Sequence, residues 1–174
     1  IVPIIVGRIA GKESTYAPLL APLWEDPETF FVVSSDFCHW GERFDYTPFA
    51  DRRGSARGRE IADDIEAMDR RGMALIEGRD SAGFRAYLAE TDNTICGRNP
   101  IQLFLATLDA CKSATVRDAR VTFVRYAQSS RVVAPDDSSV SYASAVVVAG
   151  APEAAVAGAA SVAGAGGGGG AAGR

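Results

Sequence analysis

Short apolar runs and helical periodicities alternate along the first 40 residues. Residues 1–6 and 30–34 are continuous apolar stretches rich in β-branched and aromatic residues, which predicts two buried strands. Between them, residues 14–23 place apolar side chains at helical spacing, with Ser14 as the expected N-cap and Pro27 beyond the expected end. A strand, a helix and a strand within this length predict parallel neighbours joined by a right-handed crossover. The residues that follow the second strand then lie where open α/β sheets bind ligands.

The rest of the chain predicts three helices and two strands. Residues 60–78 form an amphipathic pattern, Asp80 is the expected N-cap of a second helix, and Asn99-Pro100 is the expected start of a third that continues to about residue 112. Residues 119–128 and 140–148 are predicted strands. The pattern as a whole predicts an α/β protein of a single domain, with a mixed sheet and flanking helices.

Composition sets the expected domain bounds and excludes two classes of partner. Of 174 residues, 47% are hydrophobic, which is enough for one core. We predict a domain over residues 1–149 and a flexible Ala/Gly-rich tail over residues 150–174, whose apolar character is too weak for a membrane span. With 18 basic and 22 acidic residues, the chain carries a net charge of −4, which gives no reason to expect nucleic acid as a partner.

The cysteines and the first residue bear on the cellular context. Three cysteines without a CxxC pair indicate a reducing compartment, and we predict the cytoplasm. The chain starts at Ile1, inside a predicted core strand and without an initiating methionine. We therefore expect a missing N-terminal segment that carries part of the functional site.

The densest group of chemically versatile side chains follows the second predicted strand. Asp36, Cys38 and His39, the only histidine, fall within four residues. Carboxylate, thiolate and imidazole all bind metals, and an imidazole oriented by a carboxylate transfers protons. Asp36 and His39 converge only if the chain turns after Ser35. The alternative is a histidine that merely satisfies a hydrogen bond near the core edge.

A second candidate region lies before the third predicted helix. Cys96 precedes that helix, whose N-terminus and Arg98 would favour a thiolate, although Cys96 could also be a small buried hydrophobe. Arg98 is a candidate for binding an anionic substrate, and a surface salt bridge is the alternative. Further hydroxyl-bearing and amide residues could line a polar pocket or form ordinary turns, namely Tyr126, Gln128, Ser129, Ser130, Ser138, Ser139, Ser141 and Tyr142. A basic loop at Arg52, Arg53, Arg57 and Arg59 is either solvated or an anion contact.

Four blocks of the sequence, in order, resemble the Memo family. They are FVVSSDFCHWG at residues 31–41, NTICGR at residues 93–98, YAQSS at residues 126–130 and DSSVSYA at residues 137–143. The resemblance covers the chain to about residue 148. It implies a fold similar to the LigB-like class III extradiol dioxygenases, which are non-haem iron enzymes. It also implies two metal-binding histidines in an N-terminal part that this chain lacks.

The resemblance assigns roles to individual residues. It implies that Cys96 is a metal ligand for iron or copper, and that His39 and Asp36 are catalytic residues in the same pocket. Arg98, Trp40 and Tyr142 are the predicted substrate-binding residues. The implied function is metal-dependent redox chemistry, as in an oxidoreductase related to non-haem iron dioxygenases. The alternative is a signalling adaptor in cell motility that binds phosphotyrosine-containing peptide in that pocket without catalysis.

Overall fold

The computed structural model describes residues 1–9, 11–50 and 60–150 of the chain. Within these residues it forms a single α/β domain with five α-helices and one three-stranded sheet. The helices are α1 (Glu13–Glu25), α2 (Ile61–Glu77), α3 (Ser81–Thr91), α4 (Arg98–Ala110) and α5 (Ala114–Arg117), and the strands are β1 (His39–Trp40), β2 (Arg120–Gln128) and β3 (Ser139–Val148). The predicted basic loop and tail lie outside the described residues.

The helix predictions for α2, α3 and α4 are confirmed, with one wrong cap. Asp80 caps α3 as expected, because its carboxylate accepts the Gly83 N–H at 2.7 Å. Asn99 does not cap α4, which begins at Arg98, two residues before the predicted first residue, with Gly97 as its N-cap. Pro100 is tolerated inside this first turn, where backbone N–H groups have no partner within the helix.

The first helix starts slightly before its predicted start and contains two prolines. It begins at Glu13, and its N-cap is Lys12, which makes no side-chain capping bond, so the Ser14 prediction is wrong. The helix ends at Glu25, the first residue of the Glu25-Asp26-Pro27 segment that was predicted to break it. Its buried face, which includes Ala17 and Ala21, lies on the side of α4.

The sheet is antiparallel throughout the described residues. Its strand order is β1-β3-β2, with β2 and β3 paired from Arg120–Val148 to Gln128–Ser141, and β1 pairing with β3 through His39 and Val140. The predicted strand–helix–strand unit with parallel neighbours is therefore wrong for this part of the chain.

The two predicted strands at residues 1–6 and 30–34 are also wrong. Both segments are irregular, and side chains such as Ile5 and Phe30 are almost fully exposed. Their β-branched and aromatic composition suits a strand, but a strand exists only when a neighbour pairs with its backbone. No described segment pairs with either run.

The main core lies between α2, α3, α4 and the inner face of the sheet. Its fully buried side chains include Ile65, Phe84, Leu105, Leu108 and Trp40. The segment around β1 contributes Phe37, Cys38 and Trp40 to this core, which fixes the position of the residues that follow Ser34. Across the described residues, no helix is long and apolar enough to span a membrane.

Candidate metal centre

Three side chains from two distant segments meet at the edge of the sheet. Asp36, His39 and Cys96 each offer one ligand atom, and these atoms all lie within 4.8 Å of one another. The His39 Nε2 atom lies 3.8 Å from the Asp36 Oδ2 atom. The sequence therefore predicted correctly that these residues share one place, although their chemical roles stay predictions.

An irregular backbone brings Asp36 and His39 to the same side. Phe37 and Cys38 are consecutive and both buried, at 2% and 0% exposure, so the segment does not alternate as a regular strand would. Regular pairing with β3 starts only at His39. Residues three apart in the sequence therefore converge, as the metal-site prediction required.

Hydrogen bonds tie this segment to the loop that carries Cys96. The Asp36 N–H donates to the Cys96 Sγ atom at 3.1 Å, and the Gly97 N–H donates to the Ser35 hydroxyl at 3.0 Å. The His39 N–H donates to the Thr94 hydroxyl at 2.7 Å. Cys96 is exposed at the site, whereas the other two cysteines, Cys38 and Cys111, are buried.

The donor set suits a redox metal. A thiolate, an imidazole and a carboxylate can bind copper or iron, and the soft sulfur favours copper. Ligand bonds of about 2.0–2.3 Å place the ligand atoms of a tetrahedral ion about 3.3–3.8 Å apart, so the observed spacing needs only a small contraction. The His39 Nε2 atom is buried and makes no hydrogen bond, which is the state expected of a nitrogen reserved for a ligand.

One aromatic ring packs beside the His39 imidazole. The ring of Phe44 lies 5.2 Å from the imidazole, and the His39 side chain is 24% exposed. The site is thus open on one side and lined by an aromatic ring on another.

The predicted substrate-binding residues do not all lie at the surface. Trp40 is fully buried, and its indole N–H donates to the Pro48 carbonyl at 2.8 Å, so it has no surface to offer a substrate and that prediction is wrong. Its single polar atom is satisfied within the core, which explains why an aromatic residue beside the site is structural. Tyr142 is 47% exposed on β3, and its role stays a prediction.

The described contacts add nothing in favour of the phosphopeptide hypothesis. Arg98 is exposed, and one of its guanidinium N–H groups donates to the Ile95 carbonyl at 3.1 Å. Arg52, Arg53, Arg57 and Arg59 lie outside the described residues. Binding of a phosphotyrosine-containing peptide therefore stays a prediction.

A buried polar network beneath the site was missed from the sequence. Asp69 is fully buried, and its carboxylate accepts hydrogen bonds from the Asn93 amide and the Tyr126 hydroxyl, both at 2.9 Å. Tyr126 also contacts Ser141 and Gln128, so part of the predicted polar cluster is real. It packs against the core, since Ser141 is buried and Tyr126 and Gln128 are half-buried. A signal was present, because Asp69 follows Ile65 and precedes Met73 by four residues on the apolar stripe of α2.

Burial dominates the electrostatics of this network. Removal from water raises the pKa of the Asp69 carboxyl, and its hydrogen bonds with Ser141, Asn93 and Tyr126 only partly oppose that rise. Burial likewise raises the pKa of the Cys38 thiol, with the nearby Asp69 charge adding to the effect. Cys38 therefore stays a neutral thiol, and Cys96 is the cysteine available to a metal.

Comparisons with known proteins agree with the family resemblance that the four sequence blocks indicated. The family model described as "Memo-like protein" matches residues 1–146. The Protein memo-1 homolog of Caenorhabditis elegans is 45% identical over 148 residues, covering 84% of this chain and 41% of that relative. Protein MEMO1 of Danio rerio is 42% identical over 85% of this chain and 48% of its own length, and that of Homo sapiens is 41% identical over 83% and 47%.

The chain thus spans less than half the length of these curated relatives. The match nevertheless includes both site segments, since residues 36, 39 and 96 lie inside the matched range. A family model that fits more than four fifths of the sequence leaves one assignment: this chain belongs to the Memo family.

Proposed function

We propose that Asp36, His39 and Cys96 form this chain's share of an iron or copper site with redox activity. The observation that carries the proposal is the convergence of a thiol, an imidazole and a carboxylate within 4.8 Å, with the imidazole Nε2 atom buried and without a hydrogen bond. The resemblance implies two further histidine ligands, and this chain holds a single histidine. The proposed redox activity is therefore that of a complete family protein, in which further ligands join these three residues.

Each residue has a distinct task in this proposal. Cys96 supplies the thiolate ligand, and the Asp36 N–H that donates to its sulfur stabilises the negative charge. Asp36 supplies a carboxylate oxygen to the metal or holds the imidazole, from which it lies 3.8 Å. His39 either binds the metal or carries a proton between the pocket and solvent, since its side chain is partly exposed.

A bound iron or copper ion would supply one-electron transfer between a reductant and dioxygen. One electron from a reductant such as ascorbate converts dioxygen to superoxide, and a second electron with two protons converts superoxide to hydrogen peroxide. In this proposal the His39 imidazole, which lies 3.8 Å from the Asp36 carboxylate, delivers those protons. No organic substrate is part of this proposal.

The test compares two cysteine substitutions in the complete native polypeptide that carries this sequence. Cys96→Ser removes the proposed ligand, whereas Cys111→Ser changes a buried thiol that donates to the Thr107 carbonyl at 3.2 Å. We expect about one iron or copper ion per chain in the wild type and in Cys111→Ser, and a loss of most of it in Cys96→Ser. The measurements are metal content by mass spectrometry and hydrogen peroxide formed from dioxygen with ascorbate as reductant.

Metal content and peroxide formation that are the same in Cys96→Ser and the wild type would contradict the proposal. A wild-type protein that binds neither metal would do so as well. His39→Ala separates the two roles of the imidazole: metal retained with slower peroxide formation supports proton transfer, whereas metal lost together with activity supports ligation.

A further inference from the structure

The segment that carries Asp36 and His39 has β3 along only one of its sides. The Phe37 N–H donates to the Ser141 carbonyl and the Ser141 N–H donates to the Cys38 carbonyl, both at 2.8 Å. Because Phe37 and Cys38 are consecutive and both bond Ser141, the segment is bulged there, and regular pairing starts with His39 opposite Val140. The backbone N–H and C=O of Val140 are both bonded to Ser129, so His39 and Val140 form a non-hydrogen-bonded pair. The N–H and C=O of His39 therefore point away from β3, towards the Cys96 loop.

One hydroxyl group satisfies both of these backbone groups. The Thr94 Oγ1 atom accepts the His39 N–H at 2.7 Å and donates to the His39 carbonyl at 3.0 Å. A hydroxyl has one donor and two acceptor lone pairs, so it can replace both hydrogen bonds that a residue of a neighbouring strand would make. Thr94 thus completes the free edge of β1 at His39.

Three other hydrogen bonds join the same segments, but at the far end. They are the Gly97–Ser35 bond and two bonds between the Cys96 sulfur and the backbone N–H and C=O of Asp36. They hold Asp36 close to Cys96, and none of them touches His39. Among the hydrogen bonds between these two segments, the bonds of Thr94 are the ones that reach the backbone of His39. Thr94 lies two residues before Cys96 and is separated from it by the fully buried Ile95, so it links the His39 backbone directly to the loop that carries the thiol.

We propose that Thr94 is a positioning residue that sets the separation between the His39 imidazole and the Cys96 thiol. The contact between Thr94 and His39 follows from the hydrogen bonds alone. Its effect on metal binding rests on the proposed function. Thr94 does not itself touch the metal or any substrate. Its loss frees the backbone of His39 while Asp36 and Cys96 stay together.

The test uses a matched set of threonine substitutions in the full chain. Thr94→Val keeps the shape of the side chain and removes the hydroxyl, whereas Thr94→Ser keeps the hydroxyl. Thr107→Val is the control, because Thr107 is a buried threonine whose hydroxyl donates to the Leu103 carbonyl at 2.8 Å, away from the site. If Thr94→Val does not fold, Thr94→Cys replaces it, since a thiol is a weaker hydrogen-bonding group of similar size.

The first readout needs no metal. Hydrogen exchange of the His39 amide should be about tenfold faster in Thr94→Val, because the amide loses its acceptor, and should return to the wild-type rate in Thr94→Ser. Exchange of the Asp36 amide and exchange in Thr107→Val should stay at the wild-type rate. Unchanged His39 exchange in Thr94→Val would overturn the inference, and so would a failure of Thr94→Ser to restore the rate.

The second readout uses Co²⁺ as the probe, followed through the absorption band of a cobalt–thiolate bond. We expect Thr94→Val to raise the Co²⁺ dissociation constant by about 10–100-fold, as is usual when a residue that orients a ligand is removed, with recovery in Thr94→Ser. An unchanged dissociation constant would show that Thr94 does not position the ligands. If the wild type gives no cobalt–thiolate band, the proposed function fails, and the exchange experiment still decides the role of Thr94.

Discussion

A buried carboxylate is the residue that best explains how the Cys96 loop is held. Asp69 has no exposed surface, and its partner Asn93 directly precedes the threonine that contacts His39. The Asn93 amide also donates to the Tyr87 hydroxyl at 2.6 Å, so α2 and α3 are both connected to this loop. The network is almost fully satisfied, which makes it a rigid support for the site.

The burial of Asp69 predicts a definite pH dependence of stability. Its pKa is raised above the ordinary value of 3.8, so the folded state binds its proton more tightly than the unfolded state. The stabilisation that it contributes is fully present below pH 3.8 and is lost as the pH rises through the higher pKa of the folded protein. The free energy of unfolding, measured by urea denaturation from pH 4 to pH 8, should fall with pH more steeply in the wild type than in Asp69→Asn.

The comparison with Asp69→Asn isolates this residue, because the two proteins share every other titrating group. The free energy of unfolding of the wild type minus that of Asp69→Asn should decrease as the pH rises. A difference that is independent of pH, or that changes in the opposite direction, would show that the carboxylate is charged at little cost in the folded state.

At the residue scale, the sequence predicted the candidate ligands but not their supports. Asp36, His39 and Cys96 were singled out for their chemically versatile side chains, and the resemblance to the Memo family implied that they share one pocket. Thr94 and Asp69 have common side chains whose importance depends on which distant backbone or hydroxyl group they meet. That information lies in contacts between residues far apart in the sequence.

The start of α4 is the element on which the site geometry depends. Gly97 is its N-cap, and a Cβ atom added there would lie 2.8 Å from the Ser34 carbonyl oxygen and would overlap the Ser35 side chain. The glycine therefore allows the helix and the Asp36 segment to approach closely enough for the Gly97–Ser35 hydrogen bond. Its backbone angles are ordinary, so the requirement is one of space.

We expect Gly97→Ala to destabilise the fold by about 1–3 kcal/mol, because the added methyl group must push two packed segments apart. Gly7→Ala is the control, since nothing lies within 4 Å of a Cβ atom at that position. Thermal unfolding of both variants, together with the rate of Cys96 alkylation by iodoacetamide, measures the effect. Equal stability of Gly97→Ala and the wild type would mean that the close approach is not required.

At the element scale, local signals were sufficient for most helices and insufficient for the early strands. The apolar stripe of α2 and the Asp80 cap of α3 depend on residues a few positions apart, so they can be predicted from the sequence. The strands β2 and β3 were also predicted correctly, to within one residue. Residues 1–6 and 30–34 have strand composition, but pairing depends on a partner that composition does not specify.

The molecule as a whole leaves a large apolar groove open beside the candidate site. The groove has a volume of about 540 Å³, and its lining includes Phe31, Phe37, Phe104, Val121 and Val146. Ser35, which accepts the Gly97 hydrogen bond, also lines it, so the groove and the metal centre share one segment. An exposed apolar surface of this kind is unusual for a protein in water.

This groove should bind a hydrophobic dye such as bis-ANS. Val146→Glu places a charge in the groove and should lower the dye fluorescence, because a carboxylate is costly to bury against an apolar ring system. Val124→Glu is the matched control, since Val124 is 61% exposed on β2 and is not part of the lining. Equal loss of fluorescence in both variants would place the dye elsewhere.

The most direct test of the proposed centre is an anomalous difference map from crystals of the protein loaded with iron or copper, recorded at the absorption edge of that metal. We predict one strong peak within about 2.0–2.4 Å of the Cys96 Sγ atom. The same peak should lie close to the His39 imidazole and the Asp36 carboxylate. A map without a peak between these three side chains, or with metal bound only elsewhere, would contradict the account.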